Sequence, residues 1–240
     1  MDQIRISAKV LGSVALEEFC PRCYWIKLHT KALPFQIFPG IFSSIDSYTK
    51  RIVHAHIDGK FFPDWMEKMG KISGYKKVPH FSKFNVVVPD FGILLTGTPD
   101  DILVCAAGGH IIPDYKTAKF TENADKLQPM YRVQLNGYAV IAEACGFAPV
   151  NDLFIVYFEP MTDEEYAKAR CAFAGFDMTF RAHPVKIPID MGSLNDAMKR
   201  TREIYDLQGP PIGRAGCKDC ECLNGIMEAC AARDGYLRLP

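Results

Sequence analysis

The chain lacks any long apolar run. Nothing in its 240 residues approaches the roughly 20 consecutive apolar residues a membrane-spanning helix needs. Met1-Asp2-Gln3-Ile4-Arg5 leads into no apolar stretch with a small-residue cleavage site, so no secretory leader is expected. No Asn-x-Ser/Thr sequon occurs. Net charge is missing too, because 28 Lys+Arg cancel 28 Asp+Glu. That excludes bulk electrostatic attraction to nucleic acid while leaving room for a local basic groove. The expectation is a soluble, cytoplasmic protein with no membrane partner.

Several enzyme signatures are absent as well. There is no G-x-x-x-x-G-K-[ST], so nucleotide hydrolysis by this chain is not expected. G-x-G-x-x-G, H-E-x-x-H and G-x-S-x-G are also missing. There is no internal repeat or low-complexity tract. With 48% apolar and 23% charged residues, disorder, collagen-like repeats and coiled coils are excluded.

What is present is a pattern of short, alternating elements. Residues 13–30 read as a helix capped by Ser13 and interrupted at Pro21. Pro34 to Gly40 reads as a connector. Residues 41–57 read as a second helix with Ile41, Ile45, Tyr48, Ile52 and Ala55 on its apolar stripe. Residues 60–83 are basic and loop-like. Lys83–Val88, Gly92–Thr96, Ile102–Ala106 and His110–Tyr115 are β-rich and punctuated by turn residues, which predicts an antiparallel meander. A long helix follows over 124–145, then a near-continuous apolar strand over Asp152–Phe158, as a buried central strand requires. A strand over His183–Ile189 and a helix over Ser193–Leu207 complete the order. The fold class is α/β (α+β), a mixed central sheet flanked by helices, in one domain with its core at about 40–190. Residues 1–39 and 208–240 are accessory ends.

The chemistry is carried by acids on neighbouring strands. One run ends Gly97-Thr98-Pro99-Asp100, and another delivers Asp114-Tyr115-Lys116. Residues i and i+2 of a strand share a face, so Asp114 and Lys116 project side by side. Two carboxylates and a lysine suit metal-assisted phosphodiester hydrolysis. Hard oxygens hold Mg²⁺ or Mn²⁺, and the lysine orients or deprotonates water or neutralises developing charge. A surface Asp-x-Lys is ordinarily a solvated face. Here it follows the apolar His110-Ile111-Ile112-Pro113, where an unpaired Asp and Lys would be costly to bury. A structural ion pair is the alternative.

Those two motifs, followed by Gln134-Leu135-Asn136-Gly137-Tyr138-Ala139, resemble the PD-(D/E)xK nuclease superfamily in its RecB-like and Cas4-like branch. The resemblance covers about residues 40–160. It implies a restriction-endonuclease-like core and a metal-dependent deoxyribonuclease, an exonuclease in particular, working in DNA repair, recombination or processing. It implies Asp100 and Asp114 as ligands of Mg²⁺ or Mn²⁺, Lys116 as the catalytic lysine, and Gln134 with Tyr138 as partners of that site. Tyr138 lies one helical turn after Gln134. The branch's further ligand on the early helix has no clean match; Asp46, His54 and His56 are on offer, and Asp46 is chosen. Lys76, Lys77, Lys83 and Lys119, with Lys116 and Lys126, would line the path of DNA. Net neutrality suggests delivery by a partner such as a helicase.

Nine cysteines are many for a reducing compartment. Cys105, Cys145 and Cys171 sit in apolar neighbourhoods and read as small core residues. The other six lie at the ends. Cys20-Pro21-Arg22-Cys23 and Cys217-Lys218-Asp219-Cys220 are two C-x-x-C knuckles, the ligand count of structural Zn²⁺ or a [4Fe–4S] cluster. The resemblance leans towards iron–sulfur, with one early and three late cysteines, which makes Cys20, Cys217, Cys220 and Cys222 or Cys230 an alternative set. Two other functional classes stay open. One is an inactive nucleic-acid-binding module of the same fold; the other is a cysteine-metal sensing protein.

Overall fold

The structure, a computed structural model, describes residues 2–30, 39–121, 126–172 and 175–236; for 171–172 and 229–236 it describes the backbone alone. Most of the expected Pro34–Gly40 connector and the start of the 124–145 helix lie outside the described residues. Among the described residues no helix is long and apolar enough to cross a membrane.

The four β-rich runs form two hairpins rather than one meander. β1 (Ile4–Ser7) pairs in parallel with β4 (Ile93–Thr96), and β3 (Asn85–Val88) pairs with β4 antiparallel. β2 (Ile72–Lys76), β5 (Ile102–Cys105) and β6 (His110–Lys116) belong to a second, five-stranded sheet. Its order is β10-β7-β6-β5-β2, with β7 at Val150–Pro160 and β10 at Phe180–Ile187. The link from Gly97 to Asp101 carries the chain between sheets. Pro99 in that link has no N–H to extend the β4 ladder. A two-residue pair, β8 (Cys171–Ala172) with β9 (Gly175–Phe176), makes a third small sheet.

Helices cover both faces of the larger sheet. α1 (Ala8–Gly12) starts at Ser7, whose Oγ accepts from Val10 N–H at 3.2 Å. A 3₁₀ turn follows at Ser13–Ala15, and α2 spans Pro21–His29. Of the helix expected over 13–30 with an interruption at Pro21, the part from Pro21 is α2, whereas Ser13 ends α1 instead of capping a helix, its Oγ donating to Val10 O at 2.7 Å. α3 spans Gly40–Asp58 and the short α4 Asp64–Glu67. α5 (Gln128–Ala144) is the crossover between the parallel strands β6 and β7. It carries Pro129 in its first turn, where the missing N–H costs nothing. α6 (Glu164–Ala169), α7 (Met191–Tyr205) and α8 (Lys218–Tyr236) follow. α1, α2, α5 and α7 lie on one side of the larger sheet, and α3 and α4 on the other.

Alternation along β6 and β7 builds two cores. Ile112, Leu153, Ile155 and Tyr157 pack with Leu135, Tyr138 and Ile141 of α5. Ile111, Tyr115, Phe154, Val156 and Phe158 pack with Val53 and Ile57 of α3 and Met66 of α4. A strand buried on both faces loses its polar alternation, which is why β7 reads as one apolar run. α3 is turned away from the expected orientation. Ile41, Tyr48, Ile52 and Ala55 are exposed, while Val53 and Ile57 are buried. The helix instead lays Lys50 and His54 against acids at the sheet end, an attraction hydropathy does not register.

Candidate active site and cysteine cluster

β6 ends in the residues that matter most. Asp114 and Lys116 lie two apart on the face covered by α5, and the Lys116 ammonium pairs with Asp114 Oδ2. From α5, Gln134 Nε2 donates to Asp114 Oδ1 at 3.0 Å and to the Tyr138 hydroxyl at 2.9 Å. Helical spacing puts Gln134 and Tyr138 on the same side of α5. Lys116 also stands 5.0 Å from the centre of the Tyr131 ring. Asp114 is 4% exposed. Burial, reinforced by the charge of Asp100, pushes its carboxyl up to about 6 although Lys116 opposes the shift. Burial and Asp114 together push the Tyr138 hydroxyl up. Gln134 Oε1 is buried with no hydrogen-bond partner, and Asp114 Oδ2 meets its lysine without an aligned hydrogen bond.

Asp100 arrives from the inter-sheet link. Its Oδ2 accepts the Tyr115 backbone N–H at 2.7 Å, which fixes it beside Asp114. Its Oδ1 lies 2.9 Å from Lys50 Nζ. The same ammonium lies 2.9 Å from Asp46 Oδ2, one turn earlier on α3. Thus Asp100, Asp114, Lys116, Gln134 and Tyr138 come together, and exposed Asp46 joins them through Lys50. The next residue points to the other side. Asp101 is 1% exposed; both its oxygens lie 2.9 Å from His54 Nε2, and the Tyr115 hydroxyl donates to it at 3.1 Å. Burial holds the Asp101 carboxyl above its ordinary range despite those partners. Tyr75 of β2 stacks on His54 at 3.8 Å.

Sequence reasoning passed over Lys50, Asp101 and Tyr115, and left His54 unchosen. The available signals were the Asp100-Asp101 doublet, whose members face opposite ways, and the i, i+4 spacing of Asp46, Lys50 and His54. Of the expected DNA-path lysines, Lys76, Lys77, Lys83, Lys119 and Lys126 are exposed and Lys116 is half-buried. Lys76 pairs across to Ile102, beside the acids, with Lys77 next to it. Lys83 precedes Asn85, which pairs with Thr96 at the head of the Gly97–Asp101 link. Lys119 lies three residues beyond Lys116.

Glycines let these parts approach. A Cβ on Gly97 would sit 2.5 Å from the Tyr138 ring, and one on Gly137 would sit 2.8 Å from Ala8 Cβ. The Gly97 position therefore needs Gly for Tyr138 to reach Gln134.

The donor set of the acid centre suits a hard cation. It offers two carboxylates, with a buried, unpartnered amide oxygen near by. Mg²⁺ and Mn²⁺ accept few protein oxygens and keep several waters. Asp100 and Asp114 would hold such an ion.

The cysteines form a second centre. Cys20 is the N-cap of α2 and Cys23 sits in its first turn; Cys217 immediately precedes α8 and Cys220 sits in its first turn. The Sγ atoms of Cys20, Cys23, Cys217 and Cys220 all lie within 4.8 Å of one another, as a metal site requires. Cys20–Cys220 is 3.5 Å, Cys23–Cys217 3.7 Å and Cys23–Cys220 3.3 Å. Burial works against the Cys20 thiolate, but the N–H groups of Cys23 and Arg214 together with the thiols of Cys220 and Cys217 outweigh it and bring the thiol down to about 6. Thiolates are the metal-binding form. Cys222 is exposed and stands outside this group, and the Cys230 side chain lies outside the described residues. Cys105 and Cys145 are half-buried; the Cys171 side chain is not among those described.

No protein-family model matches the chain, and no curated protein does. Among solved structures it is similar to the crystal structure of SSO0001, with a TM-score of 0.38 at 11% identity over 88% of this chain and 81% of that one. These matches assign no family.

Proposed function

We propose that the chain is a metal-dependent nuclease with a restriction-endonuclease-like core built on β6, α5 and β7. The observation that carries this reading is the convergence of Asp100, Asp114 and Lys116 with Gln134 and Tyr138 at one end of the sheet. A Mg²⁺ or Mn²⁺ ion on Asp100 and Asp114 would acidify a water and offset charge on the scissile phosphate. Lys116, as the ammonium paired with Asp114, would orient that water or neutralise charge developing on the phosphate. Gln134 fixes which oxygen of Asp114 faces the site. Lys76, Lys77, Lys83 and Lys119 contact successive phosphates of a DNA strand, a set small enough to call for a delivering partner such as a helicase.

The cysteine cluster supports a structural zinc ion rather than a four-iron cluster. Four sulfurs at a Zn–S distance of about 2.3 Å form a tetrahedron with edges of roughly 3.8 Å. The three close sulfur separations of 3.3, 3.5 and 3.7 Å approach that edge. A cube of eight iron and sulfide atoms would have to spread its thiolates well beyond the 4.8 Å these span.

The test of the nuclease reading is cleavage of labelled single- and double-stranded DNA with Mg²⁺ or Mn²⁺. Cleavage is expected from the wild type and lost in Asp114→Asn and Lys116→Ala. A wild-type protein that is folded, metal-loaded and inert on every DNA would sink the proposal.

A further inference from the structure

α3 reaches the acid centre through one long basic side chain. Lys50 Nζ is 2.9 Å from Asp100 Oδ1 and 2.9 Å from Asp46 Oδ2. Its side chain is 29% exposed, so the ammonium is partly withdrawn from water into the acids. The other Asp100 oxygen already accepts the Tyr115 N–H at 2.7 Å. Both oxygens of Asp100 are therefore engaged, one by a backbone dipole and one by a full positive charge. The oxygen that Lys50 holds is the one whose partner is a side chain able to move away, whereas the other is tied to the backbone, so a divalent cation would take Oδ1. Two cations on one carboxylate oxygen repel strongly at the modest effective dielectric of a half-buried site. Asp46 gives the displaced ammonium a place to go: it lies one helical turn from Lys50 and is exposed, so the pair survives without Asp100.

Building on the nuclease reading, we propose that Lys50 is a positioning residue that competes with the divalent metal ion. Without metal it holds Asp100 between α3 and the Tyr115 N–H. On metal entry it leaves Asp100 Oδ1 and rests on Asp46 alone. The consequence is a weaker but better-screened metal site, one whose acids do not face each other uncompensated while it waits for its ion. A purely structural ion pair would behave differently, since removing it would loosen Asp100 and leave metal affinity unchanged or lower.

The experiment measures Mn²⁺ affinity of the full chain, with its cysteine metal in place and no DNA, by calorimetry and by the Mn²⁺ spin-resonance signal. Thiolates favour softer ions, so Mn²⁺ reports on the oxygen site. Lys50→Met keeps the aliphatic stem and removes the charge. It is expected to bind Mn²⁺ roughly tenfold more tightly than the wild type, within the usual range of coupling between sites. Lys50→Arg should stay near the wild type. If Lys50→Met fails to fold, Lys50→Gln carries the same expectation. Equal or weaker binding by the folded neutral variant overturns the proposal. If that happens while Asp100→Asn and Asp114→Asn both abolish wild-type binding, the metal site stands and only the competition fails. Absence of Mn²⁺ binding from wild type and neutral variant alike overturns both.

Discussion

Gln134 is the residue whose environment departs most from a packing role. It is buried at 2% exposure, yet its one amide nitrogen serves both Asp114 and Tyr138 while its oxygen has no partner. A residue selected for packing alone would be apolar here, because a buried unsatisfied oxygen costs about 1–3 kcal/mol. Gln134→Ala is expected to remove DNA cleavage while costing about 2–3 kcal/mol, since it strands Asp114 Oδ1 and opens a cavity. Tyr138→Phe removes one hydrogen bond and no volume, so it should cost about 1 kcal/mol and lower cleavage only partially. Parallel denaturant melts and cleavage rates check both. Equal effects of the two variants on cleavage would mean that Gln134 does not act through Asp114. At this scale the sequence was informative. Strand alternation put Asp114 beside Lys116, and helical spacing put Gln134 beside Tyr138. Lys50 was hard to read because the partner that matters, Asp100, sits on another element, and because a lysine at i,i+4 from an aspartate on an amphipathic helix ordinarily marks a solvated face.

Elements were legible where their period was long, and illegible where it was short or interrupted. The apolar run of β7 and the long α5 stood out. β1 has four residues, too few for a pattern, and β2 is interrupted by Gly74 and a register shift between Ile72 and Gly74. Neither was anticipated. Hairpin signals identified β3–β4 and β5–β6 as neighbours but carry no information on which sheet a hairpin joins. The start of α7 shows how local chemistry sets an element. Asp190 caps it, accepting the Ser193 N–H at 3.0 Å and the Ser193 hydroxyl, and Asp190's own N–H donates to Asn136 Oδ1 at 2.7 Å. The Ser193 hydrogen bonds, with help from Arg132, hold its carboxyl below the usual aspartate range. A lowered folded pKa means the stabilisation is present above the unfolded value of about 3.9 and is lost as pH falls through the folded one. Thermal melts of wild type and Asp190→Asn should therefore differ little in slope between pH 7 and 5. Below about pH 4 the wild type should lose stability faster, because the asparagine keeps an acceptor and has no proton to gain. Parallel acid slopes would show that Asp190 contributes as a neutral acceptor only.

On the scale of the molecule, the acid cluster and the cysteine cluster lie in separate packing units, so on the proposed reading they should separate under metal removal. The C-x-x-C spacing made the cysteines legible, because a helical first turn presents residues three apart on one side. Which four came together among the described residues was decided by the docking of α2 against α8, which spacing does not encode. Cys23 and Cys217 are 194 residues apart, so a metal ion across them closes most of the chain into a loop. Loop closure of that length restricts the unfolded ensemble far more than the folded one, and metal-binding free energy becomes folding free energy. The cysteine cluster packs as its own small cluster, apart from the two cores around the five-stranded sheet. Stripping the metal with a chelator, or substituting Cys220→Ser, should therefore lower the melting temperature by several degrees or more and expose α2 and α8 to proteolysis. The amide protons of β6, α5 and β7 should stay protected from exchange. Metal analysis before stripping is expected to return one zinc per chain without visible absorption. Iron with inorganic sulfide would overturn the zinc assignment while leaving the loop argument intact. Uniform loss of exchange protection across β6 and β7 would show instead that the acid centre depends on the clip for its fold, and the two centres would then be one cooperative unit.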